Sequence, residues 1–287
     1  MKLVTIKYSR MLAGVANMLE CLGHDTEDRS IALGMEAPYL FLRGDDGYIA
    51  GTALLRPEWI NLYLHSIGFH LDQLVLPKEC IAAFLRPRRT AMVAIHSSKD
   101  STAIQPMIFT GYERGRFALC SLHPRCPQTY SFTAGQLLSH LPEKCTVYTL
   151  DTVPAEAVDY LPYLGASVQN LLVFLKEFEE ILTRSVTRSE YQALQKSHLR
   201  ALMHDLLPLI ELTSDNLLID ELKIANYFYE SVFRKNSPER LCLCDRIPAV
   251  FVKNCAHWMM EDIIDRMYEL GASDKMVDYY RRTPDVK

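Results

Sequence analysis

From Tyr8 to Leu22 the apolar positions Met11, Leu12, Val15, Met18, Leu19 and Leu22 recur at three- and four-residue steps, the repeat of a helix with one buried face. Ser9 stands where it can cap that helix, and Gly23 stands where a left-handed residue commonly ends one. Pro38 to Arg43 and Gly47 to Leu55 then read as two strands around a Gly-Asp-Asp-Gly turn at 44–47, so a hairpin is predicted. Pro57 opens a second helix, with Trp59, Leu62, Tyr63 and Ile67 on one face and Gly68 as its stop. Residues 69–76 alternate as a strand, and 77–85 read as a short helix.

From Thr90 the texture is β. Strands are predicted at 90–96, 107–113 and 117–122, the last two joined by the turn Glu113-Arg114-Gly115-Arg116. Thr133 to Leu141 opens with Thr-x-x-Gln, a capping box in which Thr133 and Gln136 satisfy each other's backbone donors, and Cys145 to Leu150 is another strand. After Asp151 the period becomes helical, at 166–183, 187–212, 216–234, 254–270 and 274–282. Thr187-x-x-Glu190 is a second capping box, and Pro208 is expected to kink its helix or end the regular part. The pattern predicts an α+β domain over residues 1–152 and an all-helical domain over 153–287.

At 287 residues the chain is long for one core and comfortable for two. Its 49% hydrophobic and 23% charged residues match a globular protein with a sizeable core. The net charge of -4, and the absence of any long basic run, exclude nucleic acid as an electrostatically favoured partner. Lys2, Lys7 and Arg10 interrupt the start, so it is not the apolar core of a signal peptide, and no apolar stretch is long enough for a bilayer. The expected location is cytoplasmic, with no membrane partner. There the eight cysteines are expected to act as small buried hydrophobes rather than disulfide partners.

One helix, then mixed segments, then a late antiparallel sheet is the order of papain-like folds. The chain resembles papain-like peptidases that process bacteriocin leader peptides, and the N-terminal domain of acyltransferases like the one in butirosin biosynthesis. The residues that carry the resemblance are the helix ending at Leu22-Gly23, the segment from Ala32 to Phe41, the strand from Met107 ending in Thr110-Gly111, and the run Leu122-His123-Pro124. It covers about residues 5 to 150. The second group also carries a helical C-terminal region, as this chain is expected to.

The resemblance implies a cysteine nucleophile near the start of the first helix, about thirteen residues before its glycine; counting back from Gly23 gives Arg10, with Ser9 beside it. It implies a histidine six residues before the glycine of the Thr-Gly strand end; counting back from Gly111 gives Gln105, whose amide cannot take a proton. The orienting aspartate before proline is replaced by His123. No glutamine for an oxyanion hole lies among residues 1–9. Residues that act as a unit lose nearly all their joint effect when one goes. The leading expectation is therefore a protein that is not an enzyme and that binds a peptide or acyl-type small molecule in a degenerate cleft containing Ser9, Arg10, Gln105 and His123. The alternative is an acyltransferase or hydrolase with Ser9 as nucleophile and His123 or His96 as base. A third reading is an interaction module built on the helical half.

No phosphate-binding loop, dinucleotide fingerprint or His-Glu-x-x-His pattern appears, and no cofactor is expected. Cys120, His123 and Cys126, and likewise Cys242, Cys244, Cys255 and His257, invite a zinc hypothesis. Buried cysteines explain both better: the first run offers three ligands where structural zinc wants four, usually as two separated pairs, and its residues on one strand would alternate faces; the second cluster is read the same way, and no metal is expected. His257, Glu261 and Asp265 share a helix face that reads as a solvated stripe, with Trp258, Ile263, Ile264 and Met267 burying another side. His198 and His204 read as polar-face or hydrogen-bonded residues. The aromatic run Tyr227, Phe228, Tyr229 and Phe233 suits a core or a subunit contact, the latter giving a homodimer through the helical half.

Overall fold

The computed structural model describes residues 9–96, 104–122, 128–213, 218–220, 222–224, 227, 240–242 and 249–282. In chain order the elements begin with α1 (Arg10–Cys21), α2 (Asp28–Gly34), β1 (Phe41–Gly44), β2 (Gly47–Ala50), α3 (Pro57–Ser66), β3 (Phe69–Pro77) and α4 (Lys78–Leu85). They continue with β4 (Ala91–His96), β5 (Ile104–Glu113), β6 (Arg116–Ser121), β7 (Thr129–Phe132), α5 (Ala134–His140) and β8 (Lys144–Thr152). Then follow α6 (Leu161–Leu182), β9 (Ser185–Thr187), α7 (Arg188–Leu194), α8 (Leu207–Ile210), β10 (Arg240–Cys242), α9 (Ala249–Glu269) and α10 (Asp274–Tyr280). The class is mixed α+β, with a six-stranded sheet followed by a helical region. No helix among the described residues is long and apolar enough to cross a membrane.

Two compact units share the chain. The first is Met1–Met35 with Leu55–Val158, and the second is Glu36–Leu54 with Asp159–Lys287. The hairpin β1–β2 thus belongs with the later helices.

In the first unit every sheet pairing is antiparallel, in the order β3-β8-β4-β5-β6-β7. Strand alternation gives the sheet two apolar faces. One face carries Val93, Ile95, Met107, Phe109, Phe117, Leu119 and Val147, packed under Ile81 and Leu85 of α4 and Leu137 of α5. Each large side chain buried there contributes about 1.5 to 3 kcal/mol. The other face receives α1, whose Gly14 lets the helix come close: a Cβ at that position would lie 2.3 Å from Met92 Sδ. The capping box forms as predicted, with Gln136 N–H donating to Thr133 Oγ1 at 3.3 Å and Thr133 N–H to Gln136 Oε1 at 2.8 Å. Arg114 and Gly115 both take positive φ, 50° and 79°, the requirement of a tight hairpin turn.

In the second unit, α6 lies against β1 and α9. Ser167 Oγ accepts from Phe41 N–H at 2.9 Å, and Asn170 donates to the Phe41 carbonyl at 3.0 Å. The long helix expected over 187–212 takes a different form. Thr187 and Glu190 cap α7 as predicted, but the regular α-helix ends at Leu194 and gives way to π-helical turns at Gln195–Leu199 and Ala201–Asp205. Pro208 falls in the first turn of α8, where its missing N–H costs nothing. Each π-helical turn lies on a glycine of the hairpin region. A Cβ on Gly47 would stand 2.0 Å from the Ser197 carbonyl oxygen, and one on Gly51 would stand 1.9 Å from that of Asp205.

Three further expectations change. α2, β7 and the β9–β10 pair form where no element was predicted. Cys120, Cys145 and Cys255 are buried as expected, whereas Cys80 is exposed. His257, Glu261 and Asp265 do form an exposed stripe, with Ile263, Ile264 and Met267 buried, but Trp258 is 41% exposed. Most of the helix predicted at 216–234, with Phe228, Tyr229 and Phe233, lies outside the described residues, as do Cys126 and Cys244.

Candidate functional site

The N-terminal end of α1 stands over a cleft of about 310 Å³ in the first unit. Its floor is drawn from four neighbouring strands: Gln73 of β3, Thr146 and Tyr148 of β8, Met92 and Ala94 of β4, and Pro106 of β5. Gln73 faces Tyr148, Tyr148 faces Met92, and Ala94 faces Pro106 across the ladders, so these side chains share one surface of the sheet. Arg10 and Met11 form the wall. The result is an apolar bed of Met11, Met92, Ala94 and Pro106 with an amide, a hydroxyl and a phenol along one side and one cation at the rim. Burial raises the Tyr148 phenol above its ordinary value, so it remains a neutral donor.

The electrostatics of this corner favour negative charge. Arg10 is exposed and is the first residue of a twelve-residue helix that has no acidic side chain in its first turn. Arg10 has no carboxylate partner among the described residues. Ser9 occupies the N-cap with extended backbone, φ −116° and ψ 102°, yet its side chain accepts no hydrogen bond from the helix. Its Oγ is buried without a partner in a residue only 5% exposed. His96 continues the row Met92, Ala94 along β4 and so lies on the cleft face of the sheet; its Nδ1 is also buried without a partner.

Arg10 therefore lines the cleft, whereas Ser9, one residue earlier at the N-cap of α1, is buried and is not among the lining residues. Gln105 does not line the cleft either. It pairs with Ile95, which belongs to the core on the opposite face, while the next residue, Pro106, lines the cleft. The cause is the irregularity between Phe109 and Gly111, where β5 slips in register against β6. One inserted residue reverses side-chain parity along a strand, so Gln105 and Gly111 do not share a face despite their even spacing. His123 lies outside the described residues. The contributions of Gln73, Met92, Thr146 and Tyr148 had no signal in the sequence beyond strand alternation, because the cleft is assembled from strands distant in the chain.

Among the described residues no group of three or more His, Cys, Asp or Glu side chains is placed to hold a metal. Other polar networks lie in the second unit. His198 accepts or donates at 2.7 Å with Ser197 Oγ and stands 3.3 Å from Glu177, which also receives the Tyr48 hydroxyl at 2.7 Å. Each partner there is satisfied by another, the ordinary sign of a structural network.

The fold and this cleft define a mixed α+β protein with a ligand-sized depression at the start of its first helix. Compared with known proteins, the chain matches no family model and no curated sequence.

Proposed function

We propose that the first unit is a papain-like domain that binds a peptide or acyl-type small molecule in the cleft beneath α1 without turning it over. The single observation that carries this reading is the lining itself. At the positions where the resemblance expects a nucleophile and a base the chain has Arg10, which lines the cleft, and Gln105, neither of which can attack a carbonyl or take a proton at neutral pH. The size suits the role, since pockets for small molecules begin at roughly 300 Å³ and are mostly apolar with a few convergent polar groups. A cytoplasmic setting belongs to the same proposal and rests on the thiols, which form no disulfide among the described residues.

The test is ligand-observed NMR of the whole chain against short peptides and straight-chain acyl compounds. Saturation transfer is expected to the acyl chain, and to be lost in Ala94→Trp, which fills the bed. Equal transfer to wild type and Ala94→Trp would rule out the cleft as the site.

A second reading has one observation in its favour, the unpartnered Ser9 hydroxyl with His96 on the same sheet face. In it Ser9 is an acyl-transfer nucleophile and His96 its base. Incubation with an acyl thioester panel decides: thiol release that disappears in Ser9→Ala would replace the binding reading with this one.

A further inference from the structure

We infer that the occupant of the cleft is an extended peptide that joins the sheet as a further strand along the free edge of β3, hydrogen-bonded to the backbone of Gln73 and Val75. This deepens the binding reading and rests on it.

β3 is an outer strand of the sheet and pairs with β8 alone. Antiparallel partners bond at every second residue. Val153 N–H donates to the Gly68 carbonyl at 3.0 Å and Lys78 N–H to that of Glu143 at 3.2 Å, which fixes the phase of the ladder. His70, Asp72, Leu74 and Leu76 therefore turn their backbone groups to β8, whereas Leu71, Gln73 and Val75 turn theirs outward. The outward rung at Leu71 is filled: Asn61 of α3 accepts from its N–H at 2.7 Å and donates to its carbonyl at 3.0 Å, the double contact an antiparallel neighbour would make. The outward groups of Gln73 and Val75 have no partner among the described residues. Both residues are exposed, Val75 to 59%.

The opposite edge of the sheet is treated differently. There the Arg116 guanidinium bonds the Ser131 carbonyl and hydroxyl of β7, each at 2.7 Å. Sheets guard their edges with charges, proline or a bulge, and the rungs at Gln73 and Val75 carry none of these. The unguarded stretch is also continuous with the cleft. Gln73 lines it, and Val75 stands opposite Thr146, which lines it too. Residues facing each other across a ladder share a sheet face, so a peptide bonded to Gln73 and Val75 turns two alternate side chains to the cleft side. The one opposite Val75 meets an exposed β-branched side chain, where valine, isoleucine or threonine packs best.

The length of the gap selects the occupant. The two rungs lie about 7 Å apart, between the rung closed by Asn61 and Pro77, which has no N–H to offer. A second copy of the chain paired over so short a stretch would bury far less than the roughly 1,200 Å² of a stable dimer. A short extended peptide suits it, because the cleft adds side-chain burial to the backbone bonds.

The experiment is amide hydrogen exchange, followed by NMR on the full chain, with the probe acetyl-Lys-Val-Thr-Val-Thr-Lys-amide and the same peptide N-methylated at its four central residues. In the free protein the Gln73 and Val75 amides are expected to exchange fast and those of Asp72 and Leu74 slowly. Saturating probe should slow Gln73 and Val75 at least about tenfold, and the N-methylated peptide, which has no central N–H to donate, should leave them unchanged. Val75→Pro removes an N–H that the folded chain leaves unbonded, at an edge position where strands accept proline. It should bind the probe about fivefold or more weakly than wild type. The N-methylated peptide tests the same contact in the wild-type chain, so the result does not depend on the variant's stability. Binding that Ala94→Trp abolishes, but that N-methylation and Val75→Pro leave intact, overturns the added strand and keeps the cleft as a site. Protection of Gln73 and Val75 that grows with protein concentration in the absence of probe gives the edge to a second copy and overturns it equally. A probe that does not bind at all also overturns the added strand, and saturation transfer to the acyl compounds then decides the cleft reading alone.

Discussion

Arg266 holds Glu36 by two hydrogen bonds, Nε to Oε2 at 2.8 Å and Nη2 to Oε1 at 2.6 Å, across 230 positions of sequence. Glu36 is only 5% exposed on its side chain and takes a left-handed backbone conformation, φ 55°, which costs a non-glycine residue about 1 kcal/mol or more. The contact therefore overrides local preference at the point where the chain enters the second unit. The Glu36 carboxylate, with a smaller contribution from Glu269, raises the guanidinium further above its already high value. Removing one partner leaves a buried charge alone, so Arg266→Ala is expected to destabilise the protein by roughly 3 kcal/mol in urea unfolding. Arg266→Lys should recover little of that, because an ammonium cannot make the paired contact. A loss below about 0.5 kcal/mol for Arg266→Ala would show that the pair does not hold this junction.

The two hairpin glycines give a sharper contrast. Gly47 and Gly51 meet backbone carbonyls that cannot swing aside, and both have positive φ, 131° and 54°. Either glycine replaced by alanine is expected to cost roughly 2 to 4 kcal/mol. Gly14→Ala meets only the thioether end of Met92, which can move, and gains helix propensity of about 1 kcal/mol. Its stability should stay within about 1 kcal/mol of wild type, while the displaced Met92 narrows the cleft and weakens binding there. Thermal unfolding of the three variants checks the order.

Burial pushes the His198 imidazole below its ordinary value, and Glu177, 3.3 Å away, only partly opposes this. The unfolded chain then binds the proton more readily than the folded one. The resulting stability is fully present above about pH 6.5, the unfolded value, and is lost as pH falls through the lower folded value. The urea midpoint should therefore rise between pH 5 and 7, and rise less in His198→Gln. Identical slopes in the two proteins would remove His198 as a contributor.

Thiol chemistry separates two cysteines. Cys145 has no exposed surface, its Sγ lies 3.0 Å from the Pro142 carbonyl, and burial pushes its thiol up to about 11. At pH 8 only about one molecule in a thousand then carries the thiolate there. Iodoacetamide should modify the exposed Cys80 first and reach Cys145 only in denaturant, as mass spectrometry of the peptides would record.

How much of this was legible beforehand follows the range of the forces involved. α1, α3, the Thr133–Gln136 box and the Arg114-Gly115 turn depend on residues within one or two turns of chain, and the hydrophobic period and capping residues announce them. α2 was missed because its seven residues, Asp28–Gly34, are too few to establish a period. The π-helical turns were missed because no local pattern marks them; the residues they lie against, Gly47 and Gly51, are about 150 positions away in sequence. The start of α1 at Ser9 and Arg10 was legible because a helix start is a local event. Pro106 was hidden by the slip near Gly111, which no composition or spacing rule reveals.

The position of β8 between β3 and β4 has a consequence for synthesis. Strands emerging at residues 69–77 and 91–96 are not neighbours of each other; β4 can pair with β5 at once, but β3 and the other side of β4 must wait for residues 144–152 to arrive between them. Likewise 36–54 remain unpartnered until α6 is made. While a ribosome extends this chain, the apolar face of β4 and the open sides of β3 and β4 stay available to other proteins for most of the first 150 residues. Slowing elongation just before residue 144 is therefore expected to lower the soluble yield, which a fractionation of the expressed chain would measure.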